Sequence, residues 1–152
     1  MTNRFDPQLF DLIPHREPML LINKVMHVNS SSSESVVFID HKTPFFKPGK
    51  GVPAWIGLEY MGQTSALIAG HQLQQGDVEP HLGFLMGSRQ YQTHVAYFKP
   101  EQNLVVRCDE GALVGDTLAT FNCTINEQVN GNEQANGQEL ASAILSVFRR
   151  PL

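Results

Sequence analysis

Gly51-Val-Pro-Ala-Trp-Ile-Gly-Leu-Glu-Tyr-Met-Gly-Gln63 opens the longest weakly charged, mostly apolar stretch of the chain, and Glu59 is its one carboxylate. From Trp55 to Leu73, the apolar residues Ile56, Met61, Leu67, Ile68 and Leu73 alternate with the small residues Gly57, Gly62, Ala66, Ala69 and Gly70. That spacing predicts one long helix over 55–73, stopped at Gly76. A helix lined with so many small residues lets another backbone approach closely. Immediately upstream, the stretch 42–53 holds three prolines and two glycines, which predicts a shaped loop delivering the chain to the helix.

Working outward, Asp6 and Pro7 read as the N-cap and first-turn proline of a short helix over 6–12. The apolar run 19–28 predicts a strand, 29–34 a polar turn, and 35–40 a returning strand. After the long helix, strand patterns fall at about 82–98, 103–111, 116–129 and 139–149, with a flexible hairpin tip over 130–137 between the last two. One apolar helix followed by consecutive antiparallel strands argues for an α+β fold in which a sheet wraps a single buried helix. With 152 residues and no repeat or linker, a single domain over 1–152 is expected.

Composition narrows the function classes. Hydrophobic residues make up 41% and charged residues 17%, a globular mix. A net charge of -4 gives little support to nucleic-acid binding, although Arg16, Lys47, Lys50 and Arg89 could still form a local basic patch. No apolar run is long enough to span a membrane and no secretory leader is visible, so the cytoplasm is expected. Cys108 and Cys123 sit in apolar strand patterns and read as reduced core thiols. The six histidines show no pairing with ligand-like spacing and a nearby carboxylate, so no metal site is expected.

A second segment, Leu12-Ile-Pro-His-Arg-Glu-Pro-Met-Leu-Leu-Ile-Asn-Lys-Val25, places a histidine and an arginine in a proline-bounded turn. With the helix segment it resembles the hot-dog-fold 3-hydroxyacyl-thioester dehydratases of fatty-acid synthesis. These have a Pro-His-Arg-x-Pro turn before the first strand and an acid on the central helix. The resemblance implies a hot-dog fold, water elimination from a 3-hydroxyacyl thioester carried on acyl carrier protein or coenzyme A, and no cofactor. It also implies pairing into a homodimer or a heteromer with another hot-dog subunit.

That elimination needs a base at the carbon next to the carbonyl, an acid for the departing hydroxyl, and donors for the enolate-like oxygen. By the resemblance, Glu59 handles the hydroxyl and the backbone N–H groups of Ala54, Trp55, Ile56 and Gly57 polarise the carbonyl. Gln63, one turn on, is placed to hydrogen-bond Glu59, and Gly87 lies in a strand resembling the one that flanks the thioester. The family's base is a histidine in the loop before the helix. Here that loop reads Thr43-Pro-Phe-Phe-Lys-Pro-Gly-Lys-Gly-Val-Pro53 and contains none. His15, inside the second motif, is the leading substitute and His41 the next; His71, His81 and His94 read as surface residues. Trp55, Phe45, Phe46, Phe84 and Phe98 line an acyl tunnel or fill the core. The altered loop suits an accessory branch (polyketide, polyene or secondary lipid synthesis). The other readings are a silent partner subunit of a dehydratase heteromer and a thioesterase on the same fold.

Overall fold

The computed structural model describes residues 4–76, 81–115, 117–129 and 137–151. Its elements run α1 (Gln8–Leu12), β1 (Lys24–Val28), β2 (Ser32–Phe38), β3 (Val52–Pro53), α2 (Gly57–Gln74), β4 (His81–Thr93), β5 (Tyr97–Phe98), β6 (Asn103–Val114), β7 (Leu118–Glu127) and β8 (Glu139–Pro151). Six strands form one antiparallel sheet in the order β1-β2-β6-β7-β8-β4, and β3 pairs with β5 in a separate two-stranded ladder. The sheet closes around α2, as the resemblance implies. Residues 130–136, most of the expected hairpin tip, and the side chains of His81 and Phe84 lie outside the described residues.

The alternation in β7 shows how the sheet meets the helix. Ala119, Phe121, Cys123 and Ile125 are buried, while Thr120, Asn122, Thr124 and Asn126 are more open, the period-two pattern of a sheet with one face on a core. Cys108 and Cys123 face each other across β6 and β7 as free, buried thiols, their sulfurs 2.8 Å apart. Cys108 also reaches the carbonyl of Met61 on α2 at 3.3 Å. Burial pushes its thiol pKa up, as suits an inert core group.

The helix is covered on two sides. Tyr60, Met61, Thr64, Leu67 and Ile68 are buried in the core, and Thr64 is tied to β2. Glu59, Gln63 and Gly70, at intervals of four and seven, share another face. Along that face runs the segment from α1 to β1. A methyl group on Gly70 would fall on the backbone carbonyl of Leu12, so the small residues do admit a second backbone. Gly70→Ala is therefore expected to destabilise the fold. Its gain in helix propensity, about 1 kcal/mol, is outweighed by overpacking against unyielding backbone at about 1–3 kcal/mol or more. Thermal unfolding of the variant checks this; an unchanged or raised Tm would contradict the close approach.

Several boundaries differ from the sequence-based expectation. The strand expected from residue 19 begins only at Lys24, because Leu21 donates its N–H to the Gln63 side chain at 2.9 Å instead of to a neighbouring strand. The expected polar turn over 29–34 shortens, and β2 starts at Ser32. Ser33 and Ser35 point inward: Ser33 donates to the Thr64 carbonyl at 2.6 Å, and the Ser35 and Thr64 hydroxyls lie 2.7 Å apart. Their hydroxyls are satisfied by the helix, which makes burial tolerable. The strand expected over 82–98 divides into β4 and β5. A 3-10 turn over Ala54–Ile56 precedes α2, and Gly76 ends it with φ at 73°.

Candidate active site

Two prolines and an arginine shape the turn that carries His15. The peptide bond Glu17–Pro18 is cis, and the N–H groups of Met19 and Leu20 both return to the Arg16 carbonyl. The Arg16 guanidinium donates to the carbonyls of Ile13 (2.9 Å), His15 (2.8 Å) and Phe10 (3.0 Å), and sits 5.0 Å from the centre of the Phe10 ring. Arg16 thus caps the end of α1 and braces the turn, so its charge is engaged in holding His15 in place.

Gln63 joins this turn to the helix. Its side chain is fully buried; Oε1 accepts from the Leu21 N–H at 2.9 Å, and Nε2 donates to the Met19 carbonyl at 2.7 Å and to Glu59 Oε1 at 3.2 Å. One amide therefore fixes both the segment after the turn and the carboxylate one helical turn before it. Gln63→Leu leaves the Leu21 N–H buried without a partner, at about 1–3 kcal/mol, and also frees the more open Met19 carbonyl. The expected result is a Tm well below that of the native chain, together with loss of activity. Native-like melting would remove the clamp from the account.

His15 is partly buried, and its Nδ1 is buried with no hydrogen-bond partner. Burial holds its imidazole below the ordinary histidine value, the Glu59 carboxylate opposes that shift, and Arg16 adds to it. Each cause has a plain origin: the closed surroundings disfavour a cation, a neighbouring anion favours one, and a neighbouring cation does not. The ring lies in the field of Glu59, and one of its two nitrogens makes no hydrogen bond. Gln63 and Glu59 thus touch directly, and the Glu59 charge reaches the His15 ring from a distant stretch of sequence.

The amide group expected at the helix start is narrower than the sequence suggested. Ala54 donates its N–H to the Ala96 carbonyl at 3.0 Å, and Gly57 returns its own to the carbonyls of Ala54 and Trp55. The Ile56 N–H is taken up by the 3-10 turn, which bonds it to the carbonyl three residues back, so the Trp55 N–H is left as the candidate. Sequence reasoning missed Tyr91, whose hydroxyl donates to the Ala54 carbonyl at 2.5 Å and sits where a side chain on Gly57 would go. Burial raises its pKa to about 12, which keeps it a donor. No local pattern marks a contact between residues 37 apart. Gly87 lies on β4 at a bulge, with φ at 153° and open space around its Cα.

The remaining candidates separate cleanly. His41 is exposed, and His94 lies 3.7 Å from Glu139 at the surface. Phe98 is fully buried against Tyr60 with ring centres 5.9 Å apart, and Phe46 packs on the core. Trp55 and Phe45 are instead 65% and 52% exposed, so neither is a core residue of the chain. Among the described residues no helix is long and apolar enough to cross a membrane.

Comparison with known proteins accords with this geometry. The structure resembles the dehydratase heterocomplex ApeI:P from Xenorhabdus doucetiae, with a TM-score of 0.79, 21% identity, and coverage of 95% of this chain and 91% of that one. It also resembles AziG of S. sahachiroi, with a TM-score of 0.66 and 10% identity over 93% of this chain and 99% of the other. These likenesses establish the hot-dog fold. In sequence the chain is 30% identical over 79 residues to the 3-hydroxyacyl-[acyl-carrier-protein] dehydratase FabZ of Dinoroseobacter shibae. That match spans 49% of this chain and 48% of the relative, about half the length of each. The ApeP-like family, described as ApeP dehydratase, matches residues 7–151. The chain belongs to the ApeP-like dehydratase family.

Proposed function

We propose that this chain, folded as one hot-dog domain over 1–152, is a hydro-lyase that removes water from a 3-hydroxyacyl thioester held on acyl carrier protein or coenzyme A. The observation that carries the reading is a histidine ring with a partnerless nitrogen in the field of Glu59, whose side chain Gln63 clamps. In the proposed step, His15 takes a proton from the carbon next to the carbonyl. The electron pair left there forms the carbon–carbon double bond as the bond to the 3-hydroxyl breaks. Glu59, entering the step as the carboxylic acid, delivers its proton to that hydroxyl, which leaves as water. The proton held by His15 then returns to Glu59 through exchange with solvent. The N–H group of Trp55 holds the thioester oxygen while charge gathers on it, the usual work of a donor at a helix start. Gln63 keeps the acid in position. No cofactor takes part in this scheme.

Assembly is part of the proposal. Among the described residues β4 and β1 each pair on one side only, leaving two sheet edges. A strand of 13 residues with an open edge invites pairing. The ApeI:P neighbour is a heterocomplex, which supports a second hot-dog subunit, identical or not, beside β4.

The test is to give the purified chain a 3-hydroxyacyl group on acyl carrier protein and follow the product by mass spectrometry. Loss of one water with the thioester intact is expected. Release of the free acid would make it a thioesterase. Turnover seen only after mixing with a conventional dehydratase would make it a silent partner. Light scattering on the same sample should give more than a monomer.

A further inference from the structure

The chain has five lysines, and four of them, Lys42, Lys47, Lys50 and Lys99, lie in the loop before α2 or directly after β5, the strand that pairs with the end of that loop. Lys42, Lys47 and Lys50 lie in the loop before α2, and no carboxylate occurs between His41 and Leu58. The loop is held in shape: Lys47 and Gly51 exchange backbone hydrogen bonds at 2.7 and 3.0 Å, and Lys50 returns its N–H to the Lys47 carbonyl at 3.0 Å. Pairing of β3 with β5 then sets Val52 opposite Phe98, and Gly51 packs against the backbone of Phe98 and Lys99 with φ at 109°. Lys50 stands 5.7 Å from the centre of the Tyr97 ring. All four lysines are exposed. The carboxylates flanking the surface in sequence are Asp40, ion-paired with Arg4 at 3.2 Å, and Glu101.

Next to these charges is an exposed aromatic pair, Phe45 and Trp55, with ring centres 6.4 Å apart. Trp55 is four residues before Glu59, one helical turn from the acid. In a chain of net charge -4, a fixed cationic rim around exposed aromatics has the makeup of an interface for an acidic partner. The geometry points to this loop, Lys42, Lys47 and Lys50 with Lys99, Phe45 and Trp55, as the docking surface for the acidic face of the carrier protein that presents the thioester. The identity of the partner rests on the dehydratase reading; the surface and the sign of its charge do not. Long-range attraction would bring the carrier in, and the aromatic pair would fix its position beside the helix start.

The variant is the double reversal Lys47→Glu/Lys50→Glu. The probes are a 3-hydroxybutyryl group on acyl carrier protein, on coenzyme A and on uncharged N-acetylcysteamine. Expected is a rise in KM of about tenfold or more for the carrier-protein substrate at low salt, with turnover of the N-acetylcysteamine substrate unchanged. Raising the salt should weaken the native chain toward the variant. Equal losses on all three substrates would overturn the docking role, as would an equal KM rise with coenzyme A, which would mean recognition of phosphate alone. Direct calorimetric titration with the unloaded carrier protein reads the docking apart from the chemistry. Binding by the native chain and not by the variant supports the surface even where no water is lost. Failure of the native chain to bind, binding of anionic lipid vesicles in its place, or a Trp55 already shielded from acrylamide by a second copy would overturn it.

Discussion

Glu59→Gln is expected to lower dehydration by about two to four orders of magnitude, the usual worth of a positioned acid–base group. The substitution keeps the volume and one carbonyl oxygen for the 3.2 Å contact with Gln63. What it removes is the proton given to the leaving hydroxyl. KM should move little, because the interaction matters most when the carbon–oxygen bond is breaking. Steady-state kinetics and a melting curve separate this from damage to the fold. Unchanged turnover would take Glu59 out of the mechanism.

His15→Gln is expected to cost about as much, roughly two to four orders of magnitude, and to change the pH profile. In the native chain burial lowers the imidazole pKa from 6.5, so the neutral base is present at neutral pH. Activity should fall as the pH is lowered through that depressed value, when the ring takes up a proton before substrate arrives. The variant should lack that acidic limb. Linkage gives a second sign: the unfolded chain binds this proton more readily than the folded one, so stability declines as pH falls below 6.5. Removing the histidine should reduce that decline. Persistence of both the activity and its acidic limb in His15→Gln would move the base to another group.

The long helix was legible because its small residues and apolar spacing extend over five turns, and Gly70 against Leu12 shows what those small residues are for. The strand alternation in β7 was equally plain. Boundaries failed where side chains replace backbone partners. Leu21 is extended and apolar but bonds to Gln63, and Ser33 and Ser35 are turn formers whose hydroxyls are claimed by Thr64. Trp55 and Phe45 read as core or tunnel by composition, yet a loop pinned by Lys47 and Gly51 leaves them outside. At the site, the motif exposed Glu59, Gln63 and His15 separately. Their union depends on residues 12–21 lying along the 59-63-70 face, a matter of packing between segments more than forty residues apart. Tyr91 and the engagement of the Ala54 N–H could be found only in three dimensions.

The pairing of His15 with Glu59 in one catalytic step is tested most directly by running the reaction backwards in deuterium oxide. A 2-enoyl thioester is supplied to the native chain and to His15→Gln, and deuterium at the carbon next to the carbonyl is counted by mass spectrometry. The account predicts hydration with one deuteron delivered to that carbon by the native chain, and neither hydration nor exchange above background in His15→Gln. Deuterium delivery by His15→Gln at the native rate would contradict it.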